Sequence, residues 1–232
     1  MNKLKQCVAF DVSKDKLDVC FSVIDSTQKV TIKATRKFIN QLKGFEELDA
    51  WICKHNDASL PLVYIMEATG VYYEQIAWHL YNRQQAVIVI LANKARQYAR
   101  SLGLKSKNDK IDSVGLARMG AEQNLPLWQP LSKLFYQLRS LTREVESLQA
   151  HKTVLTNQLH ALAHGQFENK STKKRLLALV TLLDKQIAAI QQEVAQLVET
   201  DADLKRKIDH ITQIRGIGVM SAVTVIAETV DR

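Results

Sequence analysis

CVAFDVSKDKLDVCFSVI, Cys7 to Ile24, is the stretch that decides the fold. Cys7 to Val12 is a short apolar run, Leu17 to Ile24 is a second, and the polar Ser13-Lys14-Asp15 between them reads as a turn. Two strands and a hairpin result. Outward from it, Lys29 to Phe38 alternates Val30, Ile32 and Ala34 against Thr31, Lys33 and Thr35, the period of a third, half-exposed strand. The segment 40–54 is expected to be a helix with Leu42, Phe45, Leu48 and Ile52 on one face. Leu62 to Glu67 and Ala86 to Leu91 read as buried strands, with a helix over Tyr73 to Asn82 between them and another helix after the second.

Three strands followed by alternating helices and strands predict an α/β fold with a mixed sheet of the ribonuclease H-like, or RuvC-like, type. A doubly wound parallel sheet would place a helix after the first strand. Composition shifts between Pro126 and Pro130, and no proline follows. Leu134, Leu138, Leu141, Val145, Leu148, Leu155, Leu159 and Leu162 keep steps of four and three, with Lys152 at the one polar place in the series. Leu176, Val180, Leu183, Ile187, Ile190, Val194 and Leu197 repeat the pattern, which is that of heptads. Gly165 and Asn169 allow the chain to reverse between the two stripes. Two helices of roughly 30 residues, each about 45 Å long at 1.5 Å per residue, predict an antiparallel coiled-coil arm. The arm either packs only on itself or also dimerises, because a heptad stripe does not name its partner. The expected organisation is a RuvC-like domain over 1–125, the arm over 126–203 and a further element over 204–232.

With 46% apolar and 24% charged residues among 232, the chain is neither disordered nor collagen-like. Its longest apolar run, Ala86 to Ala92, is too short to cross a bilayer, and the N-terminus has no signal-peptide pattern. A soluble protein of the cytoplasm is expected, nucleoid-associated when bound to DNA. Cys7, Cys20 and Cys53 form no CxxC pair and are read as buried thiols. A net charge of +8 favours polyanionic partners.

Asp11 closes the first apolar strand and Glu67 closes LVYIME, both without amphipathic reason. In a ribonuclease H-like sheet the first and fourth strands lie side by side and parallel, so carboxylates at the same end of both project into one crevice. A divalent cation relieves the repulsion between such neighbours. A helix starting near Asp109 puts Asp109 and Asp112 on one face within one turn, with Ile111, Val114, Leu116 and Met119 to pack it and Gly115 to permit close approach. All-oxygen ligands suit Mg²⁺ or Mn²⁺, and a pair of such ions ~4 Å apart serves phosphodiester chemistry. Each acid has a plainer account: Asp109 as a helix cap, Asp112 as a solvated side chain, Glu67 as the partner of a lysine. Together the four outweigh it. Asp15, in the turn, and Asp18, on the polar side of its strand, are weaker candidates, while Glu46, Glu47 and Asp49 read as the wet face of a helix.

FDVSKDKLDV, MEATGVYYE and KNDKIDSVGLAR resemble the three blocks of the DEDD transposases, insertion-sequence recombinases related to the Piv-type DNA invertases. The resemblance covers nearly the whole chain. It implies a RuvC-like domain, a coiled-coil segment, a C-terminal domain carrying a serine nucleophile and, in some members, a structured guide RNA that pairs with DNA. By position in the motifs it puts the family's acidic tetrad on Asp11, Glu67, Asp109 and Asp112. IRGIGVMSAVTVIAE, Ile214 to Glu228, is similar to the opening of the family's C-terminal domain, and no serine block follows it. Ser221, inside this opening, is not read as the nucleophile. The expectation is a truncated piece or decayed copy, able to bind metal and nucleic acid and unable to complete strand exchange alone.

Between Asn93 and Arg118, Lys94, Arg96, Arg100, Lys105, Lys107, Lys110 and Arg118 face only Asp109 and Asp112, a local excess of five positive charges. Basic groups beside an acidic cluster are what a phosphate backbone requires. Tyr98 is either a base-stacking group or part of the core. Lys170, Lys173, Lys174 and Arg175 form a second basic cluster at the expected tip of the arm, in contact with nucleic acid or merely solvated. Gly216-Ile217-Gly218 resembles a helix-hairpin-helix turn whose backbone N–H groups hold a phosphate, against the plainer reading of an interhelical turn. The six histidines show no zinc spacing with cysteine and receive no role. The leading reading is a metal-dependent DNA recombinase, homodimeric or larger. Its rivals are a non-catalytic RNA- or DNA-binding dimerisation module and an actin-like phosphotransferase. The latter is disfavoured because Val12-Ser13-Lys14 after Asp11 provides no glycine turn for phosphates.

Overall fold

A computed structural model describes residues 2–103, 109–167 and 169–229, with 109–112 described as backbone alone. By contact the chain divides into two compact units, 1–130 and 131–232. The first opens with β1 (Lys3–Val12), β2 (Lys16–Asp25) and β3 (Val30–Ile39), and continues with α1 (Leu42–His55), β4 (Leu62–Glu67), α2 (Glu74–Asn82), β5 (Ala86–Ile90), α3 (Ala92–Ser101) and α4 (Asp109–Glu122). Its one sheet has the order β3-β2-β1-β4-β5, with β1, β2 and β3 antiparallel and β4 and β5 parallel to β1. This is the mixed, ribonuclease H-like sheet expected from the element order.

β1 lies at the centre because it is apolar on both faces. Val8, Phe10 and Val12 join the core under α1 and α2, whereas Cys7 and Ala9 join the opposite core with Leu116, Ala117 and Met119 of α4. On α1 the buried residues are Gly44, Phe45, Leu48, Trp51 and Ile52. Leu42, expected on that face, is exposed at the start of the helix, and Trp51 fills the stripe against Phe21 and Phe38. Asp49 is not on a wet face. Its Oδ2 lies 2.9 Å from Nε2 of the buried His79, and Arg83 Nη1 donates to His79 Nδ1 at 3.1 Å, joining α1 to α2. Cys7 and Cys20 are buried as expected, and desolvation pushes the Cys20 thiol up to about 12. Cys53 is exposed, because it faces away from the Leu48 side of α1.

The two sheet edges are managed differently. β3 carries Lys33, Arg36 and Lys37, charges that discourage pairing with another chain. β5 is covered by the segment before Pro130, where Trp128 N–H donates to the Val87 carbonyl at 2.7 Å.

The second unit contains α5 (Lys133–His164), α6 (Lys170–Glu199), α7 (Ala202–Thr212) and α8 (Val219–Thr229). Ser132 and Asn169 cap α5 and α6 by accepting from the backbone N–H of Phe135 and Thr172. The two long helices pack on each other, and Lys152 pairs with Asp184 across them at 2.5 Å. The heptad positions named from the sequence are the inward ones: Leu138, Val145, Ile187, Ile190 and Val194 are buried and the rest half-buried. α8 packs on α5, fixed by Arg139 donating to the Ala227 carbonyl and by a two-point Arg143–Glu228 pair at 2.7 and 2.9 Å. No described helix is long and apolar enough to cross a membrane.

Candidate active site

Strand parity brings Asp11 and Glu67 together. Phe10 pairs with Met66 in the parallel β1–β4 ladder, so the residues that follow, Asp11 and Glu67, leave the same ends of adjacent strands. Alternation puts both on the side of Cys7, Ala9 and Ile65, the face that α4 covers. Both are half-buried, and each has interactions within the fold. The backbones of the two acidic residues thus stand one strand spacing apart, roughly 5 Å, at the carboxyl edge of a parallel pair.

α4 runs against this face from the carboxyl end of β1 towards its start. Lys5 Nζ donates to the Gln123 carbonyl at 3.0 Å, just past the end of α4, and Ser22 Oγ donates to the Ala117 carbonyl at 3.2 Å, level with Cys7. Gly120 makes the close approach: a Cβ there would stand 2.5 Å from Cys7 Sγ and 2.9 Å from Ile65 Cγ2. Leu116 and Met119 pack as expected and Val114 is half-buried, while Arg118 points outward to Glu122 at 3.3 Å. The side chains of Asp109, Ile111 and Asp112 lie outside the described residues. Among those that are described, no group of three or more His, Cys, Asp or Glu is placed to hold a metal ion.

Two further residues belong to this neighbourhood: Asp18, a weaker candidate from the sequence, and Asn40, which the sequence did not single out. Asp18 is directly opposite Asp11 in the β1–β2 ladder, on the same face. The alternation in β2 had suggested a polar face, but both faces of that strand are covered, one by α4. Asn40, 7% exposed, donates through Nδ2 to the carbonyls of Ser13 and Tyr72 at 3.0 Å each, tying the loops after β1 and β4. No signal in the sequence marks an asparagine at a strand end as such a strut. Asn40→Ala is expected to cost about 1–3 kcal/mol in urea unfolding, because it strands two loop carbonyls.

Lys94, Arg96 and Arg100 are exposed on α3, which follows β5 after one residue. Lys105, Lys107 and the Lys110 side chain lie outside the described residues. Tyr98 takes the core alternative: it packs on the α4 core, and its hydroxyl donates to Glu122 at 2.5 Å. Burial, with this bond adding to it, pushes its phenol well above the ordinary range. In the other unit, Lys170, Lys173, Lys174 and Arg175 are exposed in the first turns of α6. Gly216 adopts φ +94 in the turn between α7 and α8, a conformation suited to glycine, and Gly218 precedes α8 with open space where a side chain would be.

A family model described as a transposase, of the DEDD type, matches residues 8–168. The pilin gene-inverting proteins of Moraxella bovis and Moraxella lacunata are each 31% identical over 218 residues, covering 92% of this chain. The chain spans 63% of the length of these relatives. Among solved structures, the fowlpox virus Holliday junction resolvase aligns over 50% of this chain and 94% of its own, at 14% identity and a TM-score of 0.33. An Aquifex aeolicus member of the Ppx/GppA family aligns over 41% of this chain and 38% of its own, at 13% identity and 0.29. The fold assignment rests on strand order and not on these two. The family match and the shared identity along nearly the whole chain establish that the chain belongs to the DEDD transposase family.

Proposed function

We propose that the first unit is the catalytic part of a DNA recombinase in which Asp11, Glu67, Asp109 and Asp112 hold Mg²⁺ or Mn²⁺. The observation that carries the reading is the placing of Asp11 and Glu67 side by side on one face at the ends of adjacent parallel strands. Helical arithmetic supports the other two. From Ala117, level with Cys7, back to Asp109 is about 12 Å at 1.5 Å per residue, and from Cys7 on to Asp11 is about 13 Å at 3.3 Å per residue. The amino end of α4 therefore reaches the height of Asp11. An all-oxygen donor set of this kind fits Mg²⁺ or Mn²⁺, which when bound supplies Lewis-acid assistance to phosphodiester cleavage.

The chain's own groups do the rest. The carboxylates orient the site from rigid strands, Asn40 fixes the loops beside it, and Lys94, Arg96 and Arg100 supply positive charge for a DNA backbone. The same reading includes strand transfer, a structured guide RNA, and Lys105, Lys107, Lys110, Lys173, Lys174, Arg175, Gly216 and Gly218 as further nucleic-acid contacts. It also includes a homodimer or larger assembly through the long helices, whose outer half exposes Val154, Leu177, Leu179 and Leu182. The test is cleavage of supercoiled DNA carrying the element's own ends. Cleavage is expected in Mg²⁺ and absent in EDTA or in Glu67→Gln. Cleavage that persists in Glu67→Gln would refute the assignment.

A further inference from the structure

β1 and β3 each carry one bulge, and both bulges deliver a lysine to the same place. In the β1–β2 ladder Lys3 pairs with Asp25 and Lys5 with Ile24, so Leu4 is the extra residue. Without it Lys3 would share the face of Lys5 and Ile24, the one that α4 covers. With it Lys3 turns to the other face, that of Val23 and Asp25, on the α1 side of the sheet. In the β2–β3 ladder Phe21 pairs with Ala34 and Ser22 with Ile32, so Lys33 is the extra residue, and Thr31 pairs with Val23. Lys3, Val23, Asp25, Lys29, Thr31 and Lys33 line one concavity of about 260 Å³. A bulge interrupts its ladder and re-aims a side chain. The charges there are unevenly matched. Asp25 Oδ1 serves the β2–β3 turn, accepting from the Thr27 N–H at 2.8 Å, the Thr27 hydroxyl at 2.6 Å and the Lys29 N–H at 3.3 Å. Lys3 Nζ is 3.8 Å from Asp57 Oδ2, too far for a hydrogen bond. No ion pair among the described residues involves Lys29 or Lys33. Charge on a sheet edge discourages pairing and accounts for a lysine on β3, but β1 is the central strand, so it does not account for Lys3.

We propose that this concavity binds a phosphate group of a nucleic-acid backbone, with Lys3, Lys29 and Lys33 supplying the charge and the Thr31 hydroxyl a further donor. The proposal rests on the reading of the chain as a DNA-acting protein and goes beyond its acidic site. Lys3 and Asp11 are eight residues apart on β1, roughly 26 Å at 3.3 Å per residue, and they lie on opposite faces of the sheet. A strand held at the acids is therefore not the one held here. The phosphate belongs to a second segment, either another DNA duplex or a structured RNA. Ammonium groups gathered round one concavity repel one another, and a phosphate between them relieves that repulsion. The binding is non-covalent.

The test is binding of two fluorophore-labelled probes, a short mixed-sequence DNA duplex and an RNA hairpin, to the full chain in EDTA over a range of salt concentrations. The double variant Lys29→Gln, Lys33→Gln is expected to weaken binding by roughly tenfold or more and to lower the steepness of the log-affinity against log-salt line by about two. Thr31→Val removes a donor and no charge, so it is expected to weaken binding about threefold with the steepness unchanged. Lys29 and Lys33 are exposed, in the turn and on the edge strand, so the double variant folds, which a melting curve checks. A drop in steepness with the duplex identifies DNA as the source of the phosphate, and a drop with the hairpin alone identifies RNA. An unchanged steepness with both probes would overturn the proposal, as would a failure of the unsubstituted chain to bind either. Full affinity in Thr31→Val would also overturn it, because the lysines would then act as diffuse surface charge and not as a pocket. No metal is needed, so this result stands apart from the acidic-site reading, which fails instead if Glu67→Gln still cleaves.

Discussion

Asp11→Asn is expected to remove divalent-cation binding and strand cleavage together. The affinity for Mn²⁺ should fall by about two orders of magnitude, and cleavage by about three or more, as when a ligand of a metal-assisted phosphodiester site is lost. The amide is nearly isosteric with the carboxylate, and the position is half-buried at a strand end, so the sheet has no reason to unfold. Removing one of two acids opposite each other also relieves repulsion with Asp18, so no loss of thermal stability is expected. Asp15, exposed in the β1–β2 turn, is the control: Asp15→Asn should bind Mn²⁺ and cleave as before. Calorimetric titration with Mn²⁺ and a timed cleavage assay on the three proteins check this. Equal cation binding by Asp11→Asn and the unsubstituted chain would discredit the site.

Gly120→Ala is expected to lower stability by on the order of 2–3 kcal/mol and the melting temperature by roughly 5–10 °C. Helix propensity alone argues the other way, since alanine gains up to about 1 kcal/mol over glycine in a helix interior. Packing wins here because the new methyl group would meet Cys7 Sγ at 2.5 Å and Ile65 Cγ2 at 2.9 Å. Both neighbours are fully buried on the two central strands, so neither has room to withdraw. α4 must then lift from the sheet, and with it Asp109 and Asp112, which it carries, so cation affinity should fall along with stability. Cys7→Ala in the same chain removes one of the two clashing atoms and should restore part of the loss. Thermal melts and Mn²⁺ titrations of the single and double variants measure both effects. An undiminished melting temperature in Gly120→Ala would show that α4 does not pack on β1 as described.

Strand order and the two acids on strands were legible because a central strand must be apolar on both faces. An aspartate ending CVAFDV, or a glutamate ending LVYIME, therefore needs a reason other than amphipathicity. The heptad stripes were legible for a similar reason: steps of three and four name the buried side whatever the partner. Asp18 ranked only as a weaker candidate, since LDVCFSVI alternates and reads as having a polar face. Only the ladder register shows that α4 covers that face and that Asp18 meets Asp11. Asp49 and His79 were missed because their pairing depends on how α1 and α2 cross, a tertiary fact with no local periodicity. Gly120 was not singled out, because spacing alone does not tell which glycines of a helix meet a neighbouring strand.

The convergence of the four acids is tested most directly by a crystal structure of the chain grown with Mn²⁺, using anomalous scattering to locate the ion. The account predicts a peak within about 2.0–2.3 Å of oxygens from Asp11 and Glu67, completed by Asp109, Asp112 and water. Acids dispersed by more than about a nanometre, with manganese bound elsewhere or not at all, would contradict it.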